Sequence, residues 1–305
     1  MTRHKAGSCK VYQFTGNHSR EERPFAQQRP IFKKPIEIYS FIDPLCPECW
    51  ALEPILKKLH IECGNYFKLV HLIGGKLNAL NLCGNGIQQR QDLAKKWERT
   101  ANRTGMSCDG SIWLENPVDT PYSVSLAIKA AEFQGKKAGA RFLRKIREFL
   151  FLDKQNISKK DVLMKCAKAA DLDVFEFEKD LFSENAVKAF QCDMKISKEM
   201  DVNECPTLVF FNENVDEAGI KVTGVYSYDV YVDILSSILN RDLERNEPPS
   251  LERFLKTYEF VATKEISVVY DMSQEDVERE MKKLVLKQKV ERVPVKYGTF
   301  WRYVH

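Results

Sequence analysis

The sequence predicts an α/β fold with a small α+β unit attached at its C-terminal end. Three observations carry that expectation. Pro35–Trp50, PIEIYSFIDPLCPECW, reads as a buried strand running into a two-cysteine turn that opens a helix. Far downstream, Cys205-Pro206-Thr207 leads into the apolar run Leu208–Phe211. Between them, from about Gly86 to Met200, the apolar residues follow a helical period.

In the first stretch, Ile36, Ile38, Tyr39 and Phe41 supply the β-branched and aromatic run of a core strand, and Asp43-Pro44 ends it. Cys46-Pro47-Glu48-Cys49 then places two thiols three positions apart, with Pro47 suited to the first helical position. Free N–H groups and the helix dipole are expected to favour a thiolate at Cys46. A CxxC after a strand and before a helix is the thioredoxin-type signal. A zinc half-site is the competing reading, but the chain holds no second CxxC to complete it. Pro54 falls where such a helix is kinked. Pro206 is expected to be the cis-proline of the same fold.

The remaining elements follow in order. Phe67–Ile73 reads as a strand closed by Gly74-Gly75, and His71 within it reads as structural. From about Gly86 to Met200 the chain reads as helical. Leu93, Trp97 and Ala101 recur at four-residue spacing, Pro121 opens a helix through Phe133, and Phe142, Leu143, Ile146, Phe149 and Leu150 form a stripe. Ser158 with Asp161 resembles a capping box, and Asp173 can cap the helix holding Phe177. Thr207–Phe211 and Ile220–Tyr226 read as strands, and Tyr228–Leu239 as a closing helix. The order is β-α-β, a helical block, then β-β-α. Arg241–Ser250, with Pro248-Pro249, reads as a linker. Beyond it, three helices and a hairpin across Lys296-Tyr297-Gly298 resemble a winged helix-turn-helix. The expected division is a mobile basic leader at 1–34, a thioredoxin domain at 35–240, a linker at 241–250 and the small domain at 251–305.

Composition narrows the function. The formal charge is +4, but residues 1–34 carry eight Lys/Arg against Glu21 and Glu22, which leaves the remainder at −2. Over 243–305 twelve basic residues face eleven acidic ones. The third helix of that unit opens on Glu275, Asp276, Glu278 and Glu280. Acidic groups there oppose phosphate contact, so DNA is not an expected partner and a protein-contact role is favoured. No apolar run is long enough to span a bilayer, and no secretory signal is visible. With nine irregularly spaced cysteines, this argues for reduced thiols in a cytoplasm. His4, Cys9 and His18 lack compact ligand spacing, so no metal is expected in the leader. No cofactor is expected either.

DPLCPECW, GMSCDG (Gly105–Gly110), QCDMKI (Gln191–Ile196), PTLVFF and YSYDVY (Tyr226–Tyr231) together resemble the YjbH family, also called SpxH. The resemblance implies a thioredoxin fold of DsbA type with a helical insertion. It also implies an adaptor that binds the transcription factor Spx and promotes its degradation by the ClpXP protease, a task that needs affinity and no thiol chemistry. The alternative is a cytosolic thiol–disulfide oxidoreductase, with Cys46 as nucleophile, Cys49 as resolving thiol and Pro206 shaping the groove. Glu48, between the thiols, is expected to oppose a thiolate at Cys46. Glu37 resembles the acid that assists proton transfer in such sites. Cys205 is expected to lie near Cys46, either as a third redox partner or as an inert small residue.

Overall fold

The computed structural model describes residues 34–75, 87–214 and 217–305; the basic leader, with His4, Cys9 and His18, lies outside them except for Lys34. Strand β1 (Ile36–Ile42) runs through the middle of a four-stranded sheet ordered β2-β1-β3-β4. It pairs in parallel with β2 (Phe67–Ile73), from Ile36 opposite Phe67 to Ile42 opposite Ile73. On its other side it pairs antiparallel with β3 (Thr207–Phe211), which pairs with β4 (Ile220–Thr223). Both faces are covered, which explains why β1 reads as a nearly unbroken apolar run.

The link from β1 to β2 is helical, in two pieces. Helix α1 (Pro47–Ala51) ends at Leu52, and α2 (Glu53–Cys63) restarts with Pro54 in its first turn. Pro54 cannot donate to the preceding turn, so the break falls there. Among the described residues seven helices separate β2 from β3: α3 (Ile87–Thr104), α4 (Ile112–Glu115), α5 (Pro121–Phe133), α6 (Lys136–Phe151), α7 (Lys160–Ala169), α8 (Val174–Asp180) and α9 (Glu184–Glu199). Their apolar stripes meet in one core around Trp97, Trp113, Phe142, Ile146 and Phe151. Helix α10 (Tyr228–Leu239) closes the body against Ile36, Ile38 and Leu59.

Two local expectations fail for identifiable reasons. Strand β4 stops at Thr223 instead of reaching Tyr226. Gly224 takes φ +96° and gives its N–H to the Pro206 carbonyl, while the Tyr226 N–H goes to the Tyr231 hydroxyl. Ser158 and Asp161 form no capping box. The N-cap of α7 is Lys159, and the Ser158 hydroxyl bonds back to Asn156.

The C-terminal elements are α11 (Leu251–Tyr258), β5 (Phe260–Ala262), α12 (Thr263–Val269), α13 (Gln274–Leu286), β6 (Val290–Val295) and β7 (Gly298–Tyr303). Their sheet is ordered β5-β7-β6, around a core of Phe254, Leu255, Ile266, Met281 and Trp301. β5 is absent from the sequence reading because three residues carry no periodicity; it is defined by its pairing with β7, Val261 opposite Trp301. Residues 241–250 form neither helix nor strand, yet they are tied to the body. The Glu244 N–H donates to the Tyr66 hydroxyl, and the Asn246 N–H donates to the Glu62 carbonyl.

Candidate functional site

The two-cysteine turn sits where β1 ends. Asp43 Oδ1 accepts from the Leu45 N–H at 2.8 Å, which tightens the turn and delivers Cys46 to the N-cap of α1. The peptide bond between Cys205 and Pro206 is cis and brings its loop against this turn. The Cys46 thiol donates to the Cys205 carbonyl at 3.3 Å, and the Cys205 thiol donates to the Gly74 carbonyl at 3.3 Å. The buried Cys49 thiol lies close enough to Cys46 and Cys205 to raise the proton affinity of Cys46 and to have its own shifted by both. Cys46, Cys49, Cys205 and Pro206 therefore meet in one place, and all three thiols are free.

The expected thiolate at Cys46 is not what this environment favours. Its contact with Cys49, then burial, then the negative charge of Asp43 push the Cys46 pKa well above the ordinary thiol value. Burial and the neighbouring Cys205 push Cys49 up as well, against a partial opposing pull from Arg147. The helix behind Cys46 has only five residues, so its dipole is short. Among the described residues no Lys or Arg forms an ion pair or hydrogen bond with any of the three thiols.

The acidic neighbours are arranged differently from expectation. Glu48 turns away from the thiols toward α3, where Arg103 Nη2 meets both of its oxygens at 2.6 Å and Thr100 donates at 2.9 Å. Glu37 pairs with Lys68 on the neighbouring strand at 2.6 Å, with both side chains exposed. The acid that bears on Cys46 is Asp43, whose own carboxyl is pushed up to about 6 by burial. The sequence showed Asp43 only as a strand breaker, since nothing local reveals that its carboxylate folds back under the turn. His71, held down to about 4 by burial and then by Arg147, has a buried Nδ1 without a hydrogen-bond partner. Among the described residues no cluster of His, Cys, Asp and Glu could hold a metal ion.

On the other side of the turn, Trp50 joins the C-terminal unit to the body. Its indole N–H donates to the Ser107 carbonyl at 2.9 Å. Its ring stacks on Phe151 and on Phe300 of β7, with the Arg144 guanidinium 4.5 Å from its centroid. Arg144 reaches Glu53 at 2.5 Å, Glu148 at 2.8 Å and the fully buried Glu265 of α12 through two bonds of 3.0 Å. Lys57 Nζ lies 2.5 Å from the same Glu265, which also accepts the Ala262 N–H at 2.7 Å. Burial alone would raise the Glu265 carboxyl; Arg144 and then Lys57 overcome it and hold it at about 2. Arg144 is the principal counter-charge, because burial pulls Lys57 itself below its usual value. At the hairpin tip, Lys296 pairs with Glu98 and Asp109, and the Tyr297 N–H donates to Ser107. This junction escaped the sequence reading because its charges lie about ninety to two hundred residues apart, and no local pattern pairs them.

The sheet order, the helical insertion and the paired thiols beside a cis-proline define a protein of the thioredoxin class. Residues 39–233 match the family described as Thioredoxin. The chain is 58% identical to the "ClpXP adapter protein SpxH" of Halalkalibacterium halodurans, covering 91% of this chain and 92% of that protein. It is 52% identical to the protein of the same name from Bacillus subtilis, over 88% of this chain and 90% of that one. This chain belongs to the SpxH family of ClpXP adapter proteins. Similarity over 91% of 305 residues must run past Ser250, so the relatives share part of the C-terminal unit. The cytosolic disulfide reductase DsbM from Pseudomonas aeruginosa has a similar fold, with a TM-score of 0.51 and 16% identity over 67% of this chain and 97% of that one.

Proposed function

We propose that this chain is a cytoplasmic adaptor that binds the transcription factor Spx and promotes its degradation by ClpXP, without thiol chemistry. The observation that carries the reading is the 58% identity to a ClpXP adapter protein across nine-tenths of the chain. The thiol geometry supports it. Cys46 and Cys49 are held protonated, and a protonated thiol is a poor nucleophile. The adaptor acts by raising the local concentration of Spx at the protease, or by ordering its degradation segment. The C-terminal unit serves packing and protein contact. Its hairpin tip is engaged with the insertion, and α13 opens on Glu275 and Asp276, which supports this role over DNA binding. No described helix is long and apolar enough to cross a membrane.

The test is reconstituted degradation of Spx by ClpXP with and without this chain, and with Cys46→Ser/Cys49→Ser. The adaptor reading expects turnover to fall several-fold without the chain and to persist with the double variant. Equal turnover with and without the chain would end it. The oxidoreductase alternative, with Cys46 attacking, Cys49 resolving and Pro206 shaping the groove, expects the folded double variant to lose turnover.

A further inference from the structure

One end of the insertion is used by neither the thiols nor the junction. Residues 171–184, DLDVFEFEKDLFSE, carry six acidic side chains against Lys179 alone, a net of −5. Pairing with Lys160 and Lys188 on adjacent helices still leaves a net of −3. These pairs are exposed and contribute little. Helix α8 lies inside this stretch. Its inner residue, Phe177, is buried against Phe142. Phe175 on α8 and Phe182, two residues beyond its end, stand 77% and 54% exposed, with Phe133 at the end of α5 45% exposed. Lone exposed apolar residues are ordinary; a group of phenylalanines within a concentrated negative field marks an interaction surface.

The surface is also stiff. Asp173 caps α8 by accepting the Phe175 and Glu176 N–H groups. Gln134, just after Phe133, exchanges two hydrogen bonds with the Asp173 backbone, at 2.9 and 2.8 Å. Arg141 fixes the preceding turn through the carbonyls of Ala170 and Asp171. The rings are therefore placed before any partner arrives, which lowers the entropy lost on binding.

We propose that this acidic, phenylalanine-bearing end of the insertion is where the adaptor seats its client, through a basic client surface with apolar pockets for Phe175 and Phe182. The inference rests on the adaptor reading above. It fits a transcription factor, because a protein that works against nucleic acid carries basic surface. The carboxylates steer the approach, and the rings supply the buried area. A second copy of this chain is a poorer fit. Its exposed Leu286, among Lys282, Lys283, Lys287 and Lys289, would make a head-to-tail contact that closes no symmetric dimer.

The test is a titration of purified Spx against the full chain, Phe175→Ser/Phe182→Ser, Glu176→Lys/Glu178→Lys, and Leu286→Ser as a control. The double serine variant is expected to bind on the order of 30-fold more weakly with unchanged thermal stability, since both rings lie outside the core. The charge-reversed variant is expected to weaken binding and flatten its salt dependence. Unchanged Spx affinity in the serine variant overturns the proposal, as does loss of ClpX binding or of self-association with Spx affinity kept. A wild-type chain that does not bind Spx removes the adaptor reading and this inference together.

Discussion

Two groups of buried titratable residues flank Trp50, and they resolve burial in opposite ways. On one side, among the described residues, no Lys or Arg hydrogen-bonds Cys46, Cys49 or Cys205, so the contact with Cys49 and then burial keep the Cys46 proton on, and burial keeps the Cys49 proton on. On the other side Glu265 is at least as deeply buried, yet Arg144 and Lys57 keep it ionised down to about pH 2. The same short helix thus borders a neutral pocket and a charged one. Electrostatic stabilisation is concentrated where the C-terminal unit meets the body and is withheld from the thiols. A protein whose task is to hold a partner needs a rigid frame, and a protein whose task is disulfide exchange needs a thiolate. The distribution of charge follows the first need.

The largest expected effect comes from breaking the charged side. Arg144→Ala leaves Glu53, Glu148 and Glu265 short of their counter-charge and is expected to cost about 3–5 kcal/mol in urea unfolding. The Glu265 carboxyl sits at about 2 when folded, below its ordinary value of 4.5. Its contribution is therefore complete above that ordinary value and drains away as pH falls toward 2. The urea midpoint of the wild type should decline across that window, and the decline should be shallower in Arg144→Ala.

Trp50→Ala tests whether the two sides share a keystone. It is expected to cost about 3–5 kcal/mol and to speed amide exchange in β7, where Phe300 stacks on the ring. Unchanged exchange in β7 would mean that the two sides are independent.

Smaller effects belong to the neutral side. Alkylation of Cys46 near pH 7.5, followed by mass spectrometry, should be at least about tenfold slower than that of an unhindered free cysteine and should accelerate as pH rises past the ordinary thiol range. Asp43→Asn should have the least effect on stability, with a defined sign. The Asp43 carboxyl, raised to about 6, becomes less favourable to the fold as pH climbs from about 4 to about 6. The asparagine variant should therefore match or exceed the wild type at pH 7 and should react faster at Cys46.

The elements of the body were legible because each carries its own signal. Pro121 and Asp173 mark helix starts, and Phe67–Ile73 is bounded by turn residues. The meeting of Cys46 with Cys205 was also legible, through the resemblance to a known fold. What stayed hidden depends on partners distant in sequence. Glu265 looks like a solvated helix residue until Arg144 and Lys57 surround it, and Asp43 looks like punctuation until it bears on a thiol. Charge state in a fold is a property of neighbours, and a lone sequence does not show neighbours that the chain brings together only by folding.

The hairpin beyond Val290 has a consequence for how this chain can be divided. Its tip is held to Ser107, Glu98 and Asp109, and Phe300 covers the indole that follows the second thiol of the turn. A polypeptide trimmed after Asn240 would bare that indole to water and take the Glu265 carboxylate away from Arg144 and Lys57. The thioredoxin body and its companion share these contacts, so separating them is expected to destabilise both.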